Sequence, residues 1–104
     1  MSKYQVHQID RNQKAIMDYL QAHGFSVTSI GRPVDLAVGR DGHTYLVEVK
    51  QPKGKLRSTQ IKFLETWRGH ACVMRSVDDA AALIQQHRRR SAAEALHACG
   101  LDRA

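Results

Sequence analysis

The sequence predicts an α/β fold, a mixed sheet with helices packed on it in the order α-β-β-β-α-β-α. Three observations predict it. Apolar residues recur near helical spacing in residues 9–22 and 57–68, while short runs of β-forming residues occupy 25–30, 34–38, 44–49 and 71–74. Gly24 and Gly69 supply stops for the two helical stretches. An Arg40-Asp41-Gly42 turn signal between two apolar runs folds residues 34–49 into a hairpin.

In the first helix, Ile9, Ile16, Met17 and Leu20 supply the apolar face. Residues 25–30 alternate apolar and polar, which suits a half-buried strand, and 34–38 and 44–49 are the arms of the hairpin. In residues 57–68, Ile61, Leu64 and Trp67, with Phe63 adjoining, form the expected buried face, so Phe63 and Trp67 read as core rather than as a stacking platform. Residues 71–74 are a short buried strand. Ser76 or Asp78 then caps a helix reaching about Gln86. After the basic run at 87–90, Ser91 and Glu94 resemble a capping box, which predicts a separate short last helix, free to fray or to dock on a second subunit.

A chain of 104 residues is one domain with a modest core. Its net charge of +6 makes an acidic polymer the natural partner, although a generally basic soluble protein has the same balance. No apolar run is long enough for a transmembrane helix and the N-terminus shows no secretory signal, so a cytoplasmic protein is expected. Cys72 and Cys99 are far apart and read as reduced thiols. The six histidines show no metal-ligand spacing and read as surface or helix-end residues.

The chemistry gathers in residues 31–50. Asp35 opens one arm of the hairpin and Glu48-Val49-Lys50 closes the other, so charges of mixed sign converge at one end. A charge within an apolar strand is costly unless it is paired or binds an ion. Phosphodiester hydrolysis needs neutralised phosphate charge, an activated water and support for the departing oxygen, all of which a hard divalent cation supplies. Asp35 and Glu48 are the candidate ligands for Mg²⁺ or Mn²⁺, with the Val49 carbonyl a third. Lys50 shares the side-chain parity of Glu48, so its ammonium can hold water or stabilise the phosphate. An exposed Glu48–Lys50 ion pair with Asp35 as a turn residue is the alternative. Lys53, Lys55 and Arg57 follow in an irregular basic loop with Pro52 and Gly54, expected to be mobile, and with Arg32 they are the candidate DNA contacts. The run Arg88-Arg89-Arg90 suits DNA, a dimer interface or solubility equally.

Four blocks resemble the PD-(D/E)xK nuclease superfamily, specifically the small stand-alone VRR-NUC proteins of phages and prophages. They are Asp10-Arg11-Asn12-Gln13, residues 33–39, residues 45–50, and residues 67–69 with 73–80; the likeness spans about residues 8–85. The resemblance implies a restriction-endonuclease-like α-β-β-β-α-β core and a Mg²⁺- or Mn²⁺-dependent endonuclease. It further implies a homodimer that cleaves branched DNA in the manner of Holliday-junction resolvases, in the bacterial host cytoplasm if phage-encoded. It marks Gln60, which matches a recurrent glutamine near the active site of related resolvases. It also points to the first helix, where many members carry a glutamate; Asp10 and Gln13 are nearest here, and Gln13 brings no charge. The Pro-Asp pair is spaced by Val34, and the second helix opens on Arg57-Ser58 instead of Thr-Pro or Ser-Pro. Two other classes compete: a catalytically silent nuclease-fold module that binds DNA or regulates, and an accessory phage protein with a generic basic surface.

Overall fold

The computed structural model describes residues 11–100. Its elements are helix α1 (Arg11–Ala22), strands β1 (Ser26–Ser29), β2 (Leu36–Arg40) and β3 (His43–Val49), helix α2 (Ser58–Thr66), strand β4 (His70–Met74) and helix α3 (Val77–Cys99). The strands form one mixed sheet in the order β1-β2-β3-β4, antiparallel from β1 to β3 and parallel between β3 and β4. The α/β class and the mixed sheet are as expected. Asp10 lies outside the described residues. Among those residues, no helix is long and apolar enough to cross a membrane.

Local chemistry explains the boundaries. Gly24, at φ 87°, ends α1 in the left-handed conformation, and the Phe25 N–H reaches back to the Leu20 carbonyl at 3.1 Å. Asp41 and Gly42, with φ of 54° and 80°, make the two-residue turn that sets the β2–β3 register. Leu36 and Val38 pair with Val47 and Tyr45, which places these side chains on one face with Val49 and Met74. Ile16 and Leu20 of α1 and Ala80, Leu83 and Ile84 of α3 cover that face and complete the core. The sheet's other face carries Ala37, Leu46 and Glu48.

Two helices depart from expectation. α3 is continuous through the basic run, so no separate last helix starts at Ser91. The apolar stripe passes through His87, which is 3% exposed and not a surface residue. Its Nδ1 lies 2.7 Å from the Tyr45 hydroxyl and its Nε2 lies 2.8 Å from an Asp41 carboxylate oxygen. Arg90 donates to the same Tyr45 oxygen at 2.8 Å. Polar anchoring thus carries the helix past the point where hydrophobicity fades. In α2, by contrast, no residue is buried; Ile61 is 42% and Trp67 46% exposed. The apolar stripe there is present in sequence, yet Ile61 and Trp67 are exposed, Phe63 and Leu64 only half-buried, and Phe63 and Trp67 stack on one another instead of entering the core.

Candidate active site

Asp35 stands immediately before β2, between the buried Val34 and Leu36, so strand alternation turns its side chain away from the core. Its carbonyl accepts the Ile30 and Gly31 N–H groups at 2.9 and 3.3 Å, the left-handed Gly31 closing that loop. Pairing between β2 and β3 ends at Leu36 and Val47. The Val49 N–H beyond it has no strand partner and donates to Asp35 Oδ2 at 2.8 Å. In a regular antiparallel edge, amide and carbonyl of one residue leave on the same side, so Val49 offers its carbonyl toward Asp35.

Glu48 is only 4% exposed, which removes the alternative of an exposed surface pair. Gln60 Nε2 donates to Glu48 Oε2 at 2.8 Å, while Gln60 Oε1 accepts the Arg57 N–H at 2.8 Å. Arginine has no acceptor, so only this half of a capping box forms at the start of α2. Both ends of the Gln60 amide are therefore committed, and the first turn of α2 is fastened to Glu48. Lys50 Nζ lies 3.6 Å from Glu48 Oε2. Burial pushes the Glu48 carboxyl above its ordinary range, the neighbouring Asp35 pushes it further, and Lys50 offsets this only in part.

The backbone of Lys50 at the strand end is pinned on both sides. Its N–H donates to the Met74 carbonyl at 3.0 Å, and its carbonyl accepts from Asn12 Nδ2 at 2.8 Å. Asn12 also reaches the Arg75 carbonyl at 3.1 Å. The first helix thus touches the site's strand through Asn12, whose side chain the sequence reading did not single out. Gln13 is half-buried beside it on α1. Arg75 was missed as well: it donates to the Gln51 carbonyl at 3.1 Å and to the Gly54 carbonyl, tethering the basic loop expected to be mobile. The parallel β3–β4 register sets Arg75, directly after β4, beside Lys50.

Asp35, Glu48, Arg32, Arg57 and Gln60 line one hollow of about 290 Å³, together with Gly31, Pro33 and Thr59. Lys53 and Lys55 are exposed in the loop that follows and do not line it. Among the described residues, no three His, Cys, Asp or Glu side chains are grouped as metal ligands. A cation here would be held by two carboxylates, with the Val49 carbonyl and waters completing the shell, a donor set that suits Mg²⁺. The fit rests on Glu48 itself, a buried carboxyl pressed against a second one, since a bound cation would relieve what burial and Asp35 impose. Compared with known protein families, curated proteins and solved structures, the chain gives no match to any of the three.

Proposed function

We propose that this chain is a Mg²⁺- or Mn²⁺-dependent DNA endonuclease of the PD-(D/E)xK type, acting as a homodimer on branched DNA. One observation carries the reading: Asp35 and the buried Glu48 converge at the open end of adjacent strands, with Lys50 and Gln60 bonded or adjacent to Glu48. The element order α-β-β-β-α-β, ahead of a further helix, supports the restriction-endonuclease-like core that the resemblance implies.

A cation bound there supplies charge neutralisation and a more acidic water. The chain's own residues do the rest. Asp35 is fixed by the Val49 amide and Glu48 by the Gln60 amide, so neither carboxylate must reorganise to bind. Lys50, held at its backbone by Met74 and Asn12, keeps its ammonium at the Glu48 edge, where it can hold a water or a phosphate oxygen. Arg32 and Arg57 give the hollow two cations for the sugar–phosphate backbone, which sets position without reading sequence. Two such sites related by a two-fold axis match paired nicks on a four-way junction.

The test is a labelled four-way junction and a matched linear duplex, each incubated with Mg²⁺, Mn²⁺ or EDTA. Metal-dependent junction cleavage, lost in Asp35→Ala and Lys50→Ala, is the expected result. Equal cutting of the duplex would remove the branched-DNA part. Tight binding without cutting under either metal would replace the enzyme with a silent DNA-binding module.

A further inference from the structure

Four residues of the acidic hollow, Arg32, Pro33, Thr59 and Gln60, also line a second hollow of about 470 Å³, which Phe63 completes. The two hollows adjoin across these shared residues, one holding Asp35 and Glu48 and the other Phe63. Phe63 lies three and four residues after Gln60 and Thr59, hence on the same face of α2. Gln60 is bonded to Glu48, so Phe63, three residues on, is set ~4.5 Å along the helix axis from a fixed point of the acidic end. Trp67 backs Phe63, their ring centroids 5.3 Å apart and their planes inclined by 28°. Neither ring belongs to the core cluster.

From this juxtaposition we infer that the aromatic end is a subsite for an unpaired nucleobase of the DNA strand whose phosphate lies against Asp35 and Glu48. The inference rests on the nuclease reading of the acidic end and deepens it. A base within a duplex has both faces covered by its neighbours, whereas a base at a branch point or frayed end offers a free face to Phe63. Every base has such a face, so the subsite selects for strand separation and tolerates sequence. Arg32 sits in both hollows, where a guanidinium can bind the phosphate that joins the two positions. The volume falls within the range, roughly 300–1,000 Å³, of pockets that take small-molecule ligands.

The experiment uses a forked DNA with 2-aminopurine as the first unpaired base, placed on either arm in separate substrates, and a fully paired duplex carrying the same base. Affinity by anisotropy and 2-aminopurine fluorescence are read in EDTA, so no cleavage intervenes, with thermal melting to verify folding. The full chain and Phe63→Tyr bind the fork and quench the probe on one arm. Phe63→Ala, and Phe63→Leu, which keeps bulk without a π-face, bind the fork about 10-fold more weakly, leave it unquenched, and bind the duplex as before. Unchanged fork binding, or equal losses on fork and duplex, overturns the subsite. Phe63-dependent fork binding without metal-dependent cleavage in the junction assay would uphold the subsite and remove the nuclease. Cleavage with Phe63-independent binding would do the reverse.

Discussion

β3 carries a polar cluster at each end, and the two clusters are solved differently. At its start, Arg90 donates to the Tyr45 oxygen, His87 Nδ1 lies 2.7 Å from that same oxygen, and His87 Nε2 lies 2.8 Å from Asp41 Oδ2. His43 adds a second chain, with Nε2 2.7 Å from Glu94 and Nδ1 3.2 Å from His70 Nε2. Each of these groups has a partner, and the bond to His87 holds the Asp41 carboxyl below its ordinary range. At its far end, Asp35 and Glu48 are both acceptors when ionised, and burial together with Asp35 raises the Glu48 carboxyl above its ordinary range. The histidine end is complete in itself and fastens α3 to the hairpin. The acidic end sets two carboxyl groups side by side, held by the Val49 and Gln60 amides and by Lys50. That difference, more than the presence of charge, marks the candidate site.

The comparison breaks most visibly if function and stability fail to separate. Asp35→Ala is expected to lower metal-dependent cleavage on the order of 10³-fold. Its effect on stability should stay within about 1 kcal/mol, because losing the Val49 N–H bond is offset by relieving Glu48. His87→Ala should do the opposite. It removes two hydrogen bonds at a buried position and leaves the Tyr45 hydroxyl only its bond from Arg90, a cost of about 2–3 kcal/mol. In a domain of this size that lowers the melting temperature by more than about 10 °C. Cleavage at a temperature where the variant is folded should be unchanged; a large loss there would mean that the histidine end also serves the reaction.

A smaller effect sharpens the contrast. Glu48→Gln keeps an acceptor for Gln60 and removes the charge that burial and Asp35 oppose. Without metal, it should melt about 4 °C higher than the natural chain, the equivalent of ~1 kcal/mol or less. With Mg²⁺ or Mn²⁺ the natural chain should gain stability and the variant should not. A lower melting temperature for the metal-free variant would show Glu48 already satisfied, and the two ends would no longer differ in kind.

How much of this was legible in sequence follows the same division. Asp35, Glu48 and Lys50 could be brought together because strand parity and a two-residue Asp-Gly turn are short-range rules. The hairpin register needs nothing beyond them. Asn12 and Arg75 were not legible, since each acts through backbone carbonyls that only tertiary placement brings near. The histidine end was hidden for a related reason: His43, His70 and His87 have no ligand spacing, and what joins them is a parallel crossover and a helix that packs back on the hairpin. α2 failed differently. Periodicity identified its apolar stripe, but periodicity does not say what covers a stripe, and here Ile61 and Trp67 stay exposed.

Acid titration offers the finest comparison, because the two ends respond with opposite sign. Glu48 has its carboxyl raised above 4.5 by burial and then by Asp35, so the folded chain keeps a proton that the unfolded chain releases. Its contribution to stability is therefore full below about pH 4.5 and declines as pH rises through the folded value. His70 has its imidazole lowered from 6.5, by burial first and then by Arg90 and His43. The unfolded chain takes up that proton more readily, so stability declines as pH falls below 6.5. Melting temperature measured without metal between pH 4 and 8 should bend at both sides. Glu48→Gln should flatten the decline on the alkaline side, and His70→Asn, which keeps a donor for His43, should flatten the decline on the acid side. Metal adds a further signature, since a cation competes with the Glu48 proton: the gain in melting temperature from Mg²⁺ should grow with pH in the natural chain and in His70→Asn alike. If His70→Asn changed that gain, the two ends of β3 would be coupled through the strand, and the histidine cluster would have to be counted as part of the site.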